Sequence, residues 1–413
     1  MGNHFKLTIK ASYLGYITQA INNNLCPLLF IIFQTDFSIS LELLGTLILI
    51  NFLTQLIVDI IAVKLINYTG YRLLIVLAHI CSFLGLLGLS ILPNRMENPY
   101  LGIVLSVITY AIGGGLIEVL ISPIIESIPS NNKSGSMSLL HSFYCLGQVI
   151  VVLFTTLLLA TLGRDKWPYL VALWSFIPFI NIFLFIKAPL LSPVSEHGQI
   201  SIRKLFQHKE FILFIIIMVC AGASELTMSQ WSSLFAETGL GVSKVMGDLL
   251  GPCLFAILMG LGRVFHGIYG SKYNLRKLLA LLTFLCVLCY FITVFSSSAI
   301  ISLIACGLTG LSVSLMWPGT FSLASSRFPL GGATMFGVLA IFGDLGCAAG
   351  PYISGVISNY IIKLPVTILR GEGVSLKLGL LFGAIFPVIL LICLLLPKAK
   401  NNHPETLEME SLI

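Results

Sequence analysis

Twelve apolar stretches separated by short polar breaks run the length of the sequence, near residues 9–33, 41–63, 73–92, 100–126, 136–160, 167–187, 210–236, 247–268, 278–296, 299–325, 331–357 and 376–396. A helix needs about 20 mostly apolar residues to cross ~30 Å of hydrocarbon. Lipid offers the backbone no hydrogen-bond partner, so only helices or closed barrels span it. The runs are continuous rather than alternating with period two, which selects helices. Composition agrees. Of 413 residues 57% are apolar, only 10% are charged and the mean hydropathy is +1.00, whereas soluble domains carry about 25% charged residues. A single-core soluble enzyme, a disordered chain and a fibrous repeat are excluded, and the expected fold is an all-α membrane protein with twelve transmembrane helices.

The longest polar break divides the chain into residues 1–187, a central loop at 188–209, and residues 210–413, with six stretches on either side. Placing the N-terminus inside puts sixteen of the 23 Lys and Arg residues on the inner segments and seven on the outer ones. That bias predicts both termini in the cytoplasm. It also accounts for the net charge of +6 without a nucleic-acid partner. The first stretch lacks a small-residue cleavage site and reads as a spanning helix rather than a signal peptide, and short loops point to a plasma membrane. The ten cysteines fall almost wholly in apolar stretches, where a thiol behaves as a small hydrophobe. Cys286 and Cys289 form a CxxC with no second pair, so no metal and no cofactor is expected. No phosphate loop, HExxH or GxSxG pattern occurs, which argues against ATP-driven transport and against an enzyme.

The halves echo each other. Arg72 follows the second stretch and Arg276 the eighth. Pro123 in the fourth is followed by Gln148 in the fifth, as Pro318 in the tenth is followed by Asp344 in the eleventh. Two six-helix halves of like orientation imply a pseudo-twofold axis along the membrane normal.

The segment Val63-Lys64-Leu65-Ile66-Asn67-Tyr68-Thr69-Gly70-Tyr71-Arg72 is similar to the Gly-x-Leu-Ala-Asp-Arg-x-Gly-Arg-Arg signature of the major facilitator superfamily, with Leu65, Gly70 and Arg72 matching and Asn67 and Tyr68 departing. Gly262-Arg263 and Gly267 resemble its second-half copy. The resemblance implies two six-helix bundles that rock about a midplane site, and gating roles for residues at this loop. Residues 222–231, GASELTMSQW, further resemble the fucose permease-like sugar–proton symporters, which carry Gly-x-x-Glu followed six residues later by Trp; Glu225 and Trp231 match. That branch relays protons through a carboxylate in its fourth helix, where Glu118 stands. Asn22, Asn23 and Asn24 occupy the region of the branch's first-helix Asp.

An ionisable group inside a membrane costs about 2.5–3.5 kcal/mol on insertion scales, so each needs a reason. Glu225, central in the seventh stretch, either binds substrate or takes up a proton, or it is a structural acceptor. Glu118 follows Gly113-Gly114-Gly115, which allow close helix approach; its expected partners are His79 and His141, as a proton relay or a static hydrogen bond. Asp344, flanked by Gly343 and Gly346, is a second ion or substrate contact or caps a loosened turn. Asp59, Arg72 and Arg263 are expected at gates. Glu126 and Asp248 read as solvated helix-end charges. Gln19, Asn22 and Asn23 share a face just before Pro27 and are expected to line a polar cavity, with a local break at the proline. Gln230, Trp231 and Trp317 complete a substrate surface on which a sugar ring stacks.

The expected function is secondary transport of a small polar solute, such as a sugar, by alternating access. Glu118, His141 and Glu225 would couple flux to a proton or sodium gradient. Efflux of drugs or lipophilic cations is the alternative, and a non-transporting membrane sensor the alternative of another class. The expected partners are the small-molecule substrate and the lipid bilayer, with the chain acting as a monomer.

Overall fold

A computed structural model describes residues 5–129, 133–190, 202–269, 273–328, 331–363 and 372–396. The described residues are almost entirely helical, with no strand among them. Eleven helices are long and apolar enough to span a membrane, and a bent pair brings the number to twelve. The bent pair is α1, Lys6–Leu28 and Phe30–Phe37; then follow α2 Leu41–Ala62, α3 Tyr68–Asn94, α4 Pro99–Ile125, α5 Leu139–Leu162, α6 Arg164–Lys187, α7 Lys209–Gly239, α8 Lys244–His266, α9 Leu275–Phe295, α10 Ala299–Arg327, α11 Met335–Ile362 and α12 Gly373–Leu395. The central loop from 191 to 201, residues 130–132 and the acidic tail lie outside the described residues, as do the side chains of Glu126 and of residues 133–138. The side on which α1 begins is called near, the opposite side far.

Helix starts are fixed by side chains that accept from the otherwise unpaired first amides. Ser40 does this for α2, Asn98 for α4, Ser243 for α8, Asn274 for α9 and Ser298 for α10. The polar break between α2 and α3 is no open loop. The backbone stays helical through it except at Gly70, whose φ of 76° lies in the region that favours glycine. α1 breaks at Leu29, two residues after Pro27, and bends by 43°. The expected proline interruption is thus present.

The repeat is visible in one repeated bond pattern. Arg72 donates to the carbonyls of Phe185, Ile186 and Ala188 at the near end of α6. Arg276 donates to those of Leu394 and Leu396 at the near end of α12. Each arginine supplies donors to helix-end carbonyls that lipid leaves unpaired. Arg72 therefore braces its own bundle here and makes none of the bundle-to-bundle bonds described below.

α4, α7 and α10 are the most buried spans, and α6 and α9 the least. On α6, Leu173, Phe176, Ile180 and Phe183 are exposed at three- and four-residue steps, a face suited to lipid. Small residues set the helix spacing. Gly113 sits against Ala78 and Ser82 of α3, Gly114 against Gln19 of α1 and Gln55 of α2, and Gly115 against Gln55 and Asp59 of α2. Three consecutive glycines thus admit three different helices to the backbone of α4. Gly113→Leu is expected to destabilise the protein by about 1–3 kcal/mol through overpacking, seen as a lowered thermal midpoint in detergent. Gly337→Ala, where an added methyl meets nothing within 4 Å, should leave the midpoint unchanged.

Candidate functional site

The centre of the molecule is a chain of amides that ends on a carboxylate. Gln19 of α1 donates from Nε2 to Gln55 Oε1 at 2.9 Å and to Glu118 Oε2 at 3.2 Å. Gln55 donates to Asn23 Oδ1 at 2.8 Å, and Asn51 donates to the same oxygen at 3.2 Å. Asn51, Gln55 and Asp59 recur every fourth residue on α2, so one helix face presents two amides and an acid to α1 and α4. Asn22 turns the other way and donates to Ser82 and to the Tyr110 carbonyl, holding α1 to α3 and α4. Asn22, Asn23, Asn51 and Gln230 also line a water-sized pocket under Pro27, together with Tyr110 and Phe30.

Proline places two of the bonds. Pro27 has no N–H, so the Asn23 carbonyl loses its intrahelical donor. Gln230 of α7 donates to it at 3.1 Å, linking the two bundles. Pro318 likewise leaves the Ser314 carbonyl free, and α10 breaks at Ser314–Leu315. Arg263 of α8 donates from Nε to that carbonyl at 3.4 Å. The same guanidinium reaches Cys145 Sγ on α5 at 3.5 Å and lies 3.8 Å from Glu225 Oε2 on α7. Arg263 and Glu225 keep 21% and 13% of their side-chain surface exposed. Glu118 and Tyr144 are half-buried, and His141, one turn below Cys145 on α5, is exposed. These groups keep partial solvent access where α4 and α5 of one bundle meet α7 and α8 of the other.

The far side is closed by a buried ion cluster. Lys244 of α8 lies 3.0 Å from Asp248 and 3.5 Å from Glu237, and donates to the Leu28 carbonyl, at the break in α1, at 2.9 Å. Asp248 is fully buried and accepts from Thr156 of α5 at 2.6 Å and from Ser233 of α7. Around this cluster Gln148 donates to Ser229, Asn359 of α11 to Glu42 of α2, and Arg164 to Glu237. Gly45 of α2 touches Gly355 of α11. The bundle-to-bundle bonds described here lie from Arg263 and Cys145 toward the far side.

Several sequence expectations change. Glu118 is held by Gln19, not by a histidine. His79 is buried, with Nδ1 on the Ile75 carbonyl and Nε2 on Asn181 of α6, so it faces away from α4's acid. His141 meets Tyr16 edge-on with centroids 5.1 Å apart. Trp231 is only 1% exposed; it donates to the Pro351 carbonyl and packs on Phe30, which leaves no ring face for a solute. Trp317 lies over Gly343 and against Phe321. Asp248 is no solvated helix end, because α5 and α7 close over it. Asp59 and Asp344 are 8% and 5% exposed, each with one oxygen lacking a donor. Gln55 and Asn51 were legible in the four-residue stripe on α2. Lys244 was not, since a lysine beside a turn gives no sign of burial.

A buried pair is weak evidence of net stability, yet removing one partner strands the other. Lys244→Met should cost about 3–5 kcal/mol, while Lys244→Met with Asp248→Leu should recover part of that loss. A double-mutant cycle on thermal unfolding reads the coupling.

A model of the Major Facilitator Superfamily matches residues 12–351. None of the curated protein sequences matches significantly. Among solved structures, a D-xylose-proton symporter superposes with a TM-score of 0.74 at 13% identity, covering 93% of this chain and 97% of that one. A variant of the nucleoside transporter NupG gives 0.76 at 10% identity, covering 94% and 99%. A variant of the E. coli fucose:proton symporter FucP gives 0.63 at 16% identity, covering 95% and 98%. At these identities the likeness carries the fold alone. The family match spans most of the sequence, the helix count and the paired arginine braces agree with it, and the chain belongs to the Major Facilitator Superfamily, whose members are transporters rather than enzymes.

Proposed function

We propose that the protein is a secondary transporter that moves a small polar solute, a sugar in the first instance, by alternating access coupled to a monovalent cation. One observation carries the reading: the amide chain from Asn23 through Gln55 and Gln19 ends on Glu118, which is half-buried, and Glu225 and Arg263 are likewise only partly buried in the other bundle. Amides and a loosely paired carboxylate and guanidinium offer donors and acceptors to hydroxyls. Glu118, tied by a single neutral donor, is free to take up the coupling proton or contact sodium. Glu225 and Arg263 bind the solute, with Gln19 and Tyr144 at its edge. The xylose- and fucose-proton symporters among the similar folds support a sugar. The cytoplasmic placement of both termini, the plasma membrane and a monomeric state belong to the same proposal, resting on the Lys and Arg bias for the first of these.

A second reading, efflux of a lipophilic cation, draws on one observation. Among the described residues Asp59 and Asp344 are buried without a cationic partner, and unpaired carboxylates attract positive charge.

Two measurements separate these readings. A ligand that binds the folded state raises its thermal midpoint by mass action, so a panel of sugars, nucleosides and lipophilic cations names the solute class. Glu225→Gln should weaken the stabilising ligand by roughly tenfold or more, since a hydrogen bond to a charged group is worth ~1.5–3 kcal/mol. In proteoliposomes Glu118→Gln is expected to abolish accumulation driven by an imposed gradient while counterflow continues. Gradient-driven accumulation that survives the substitution removes Glu118 from coupling.

A further inference from the structure

Two amide oxygens in the pocket under Pro27 are answered by no protein group. Asn22 Oδ1 of α1 and Asn51 Oδ1 of α2 are buried with no donor among the described residues, on side chains 1% and 5% exposed. Both residues line the pocket. The bonds of their own nitrogens fix which way each amide faces. Asn51 donates from Nδ2 to Asn23 Oδ1, an oxygen that also accepts from Gln55. Turned over, Asn51 would set oxygen against oxygen. Asn22 donates from Nδ2 to Ser82 Oγ at 3.0 Å and to the Tyr110 carbonyl at 3.3 Å. Turned over, it would set its oxygen against that carbonyl. Rotating an amide therefore answers neither oxygen.

The donors that line the pocket with them are committed. Gln230 gives an amide hydrogen to the Asn23 carbonyl. The Tyr110 hydroxyl and the Cys26 thiol bond each other. The side chains of Pro27, Phe30, Leu47 and Ile48 complete the lining and carry no donor. A buried amide oxygen without a donor forfeits the hydrogen bond it held in water, and two such oxygens share this one pocket. The pocket's volume is about 10 Å³, the room of a single water molecule. A sugar ring or a hydroxymethyl group does not fit that space. Nor does a hard metal ion suit it, because no carboxylate lines it and such ions gather about six oxygens.

We propose that this pocket binds one ordered water, which donates one hydrogen to Asn22 Oδ1 and the other to Asn51 Oδ1. Two hydrogens thus meet two acceptors. The second amide hydrogen of Gln230 answers the water's own lone pair. The water then joins α1 to α2 and, through Gln230, to α7 of the other bundle. It adds bonds on the stretch of α1 where Pro27 has removed one, as inserted water does at helix kinks. A bridging water is nearly as strong as a direct hydrogen bond, so the two helices are tied here without their side chains having to meet. The site is independent of the transport reading, since its volume admits water and not the solute.

Two measurements on the full chain test it. In crystals grown from lipid, at a resolution that shows ordered water, density is expected about 2.7–3.0 Å from both oxygens. Asn51→Leu should remove that density, and Asn51→Asp, which keeps an acceptor, should retain it. The second measurement is radiolytic hydroxyl labelling read by mass spectrometry, in which water beside a buried ring is the source of the radical. Tyr110 lines the pocket, whereas Tyr290 lies outside it and donates to the Ser224 carbonyl; the two are 2% and 0% exposed. Tyr110 should label severalfold faster than Tyr290 in the wild type, and at the same rate in Asn51→Leu. If Asn51→Leu does not fold, the wild-type density and rates decide. Wild-type density at neither oxygen, or at only one, overturns the proposal. So does a peak closer than about 2.5 Å to both oxygens, too short for water, and so does equal labelling of the two tyrosines in the wild type. Neither measurement needs solute or flux, so failure here is distinct from failure of the transport reading.

Discussion

Lipid gives a freed backbone carbonyl nothing to bond with, and the architecture of this protein follows from how those carbonyls are answered. Pro27 and Pro318 each remove one intrahelical donor. The Asn23 and Ser314 carbonyls so released are taken by Gln230 and Arg263. The break in α1 exposes the Leu28 carbonyl, which Lys244 takes. At the near ends of α6 and α12 the last carbonyls are taken by Arg72 and Arg276. Helix irregularities that look like defects in the sequence are therefore the places where long side chains from other helices are held. Near-side braces act within a bundle, and far-side ties act between bundles.

Much of this was legible before any coordinates. The apolar runs located the spans because length and hydropathy are local properties. The Arg72 and Arg276 echo anticipated the repeat, and Gly113-Gly114-Gly115 the tight packing of α4. What the sequence hid was pairing across the fold. Glu118 meets Gln19, ninety-nine positions away, and nothing in either neighbourhood distinguishes that amide from the histidines expected there. Asp248 was misread for a related reason. A charge beside a turn is usually solvated, and only the closure of α5 and α7 over α8 turns it into a buried counter-ion. Trp231 shows the converse error. Its place one and a half turns beyond Glu225 suggested a shared solute surface, but its N–H is spent on Pro351 and its ring on Phe30.

The charges of the spans divide into two groups by how they are answered. On the far side Lys244, Asp248, Glu237 and Arg164 neutralise one another, with hydroxyls filling the remaining valences. In the middle Arg263 has Glu225 at a loose 3.8 Å, while Asp59 and Asp344 have no donor for one oxygen each. A protein that needed only stability would have paired these groups or omitted them. The far-side charges are thus fully answered, and the central acids are not.

The ties to Asn23 and Leu28 have a further property. Their acceptors are main-chain oxygens, and both donors, Gln230 and Lys244, belong to the second half of the chain. A carbonyl is the same whatever residue carries it. Side chains on the α1 surface can therefore drift without cost to closure, provided Pro27 keeps releasing its oxygen. The recognition between the halves is written on one side only, so the α1 surface can change without redesigning the ties that join the bundles.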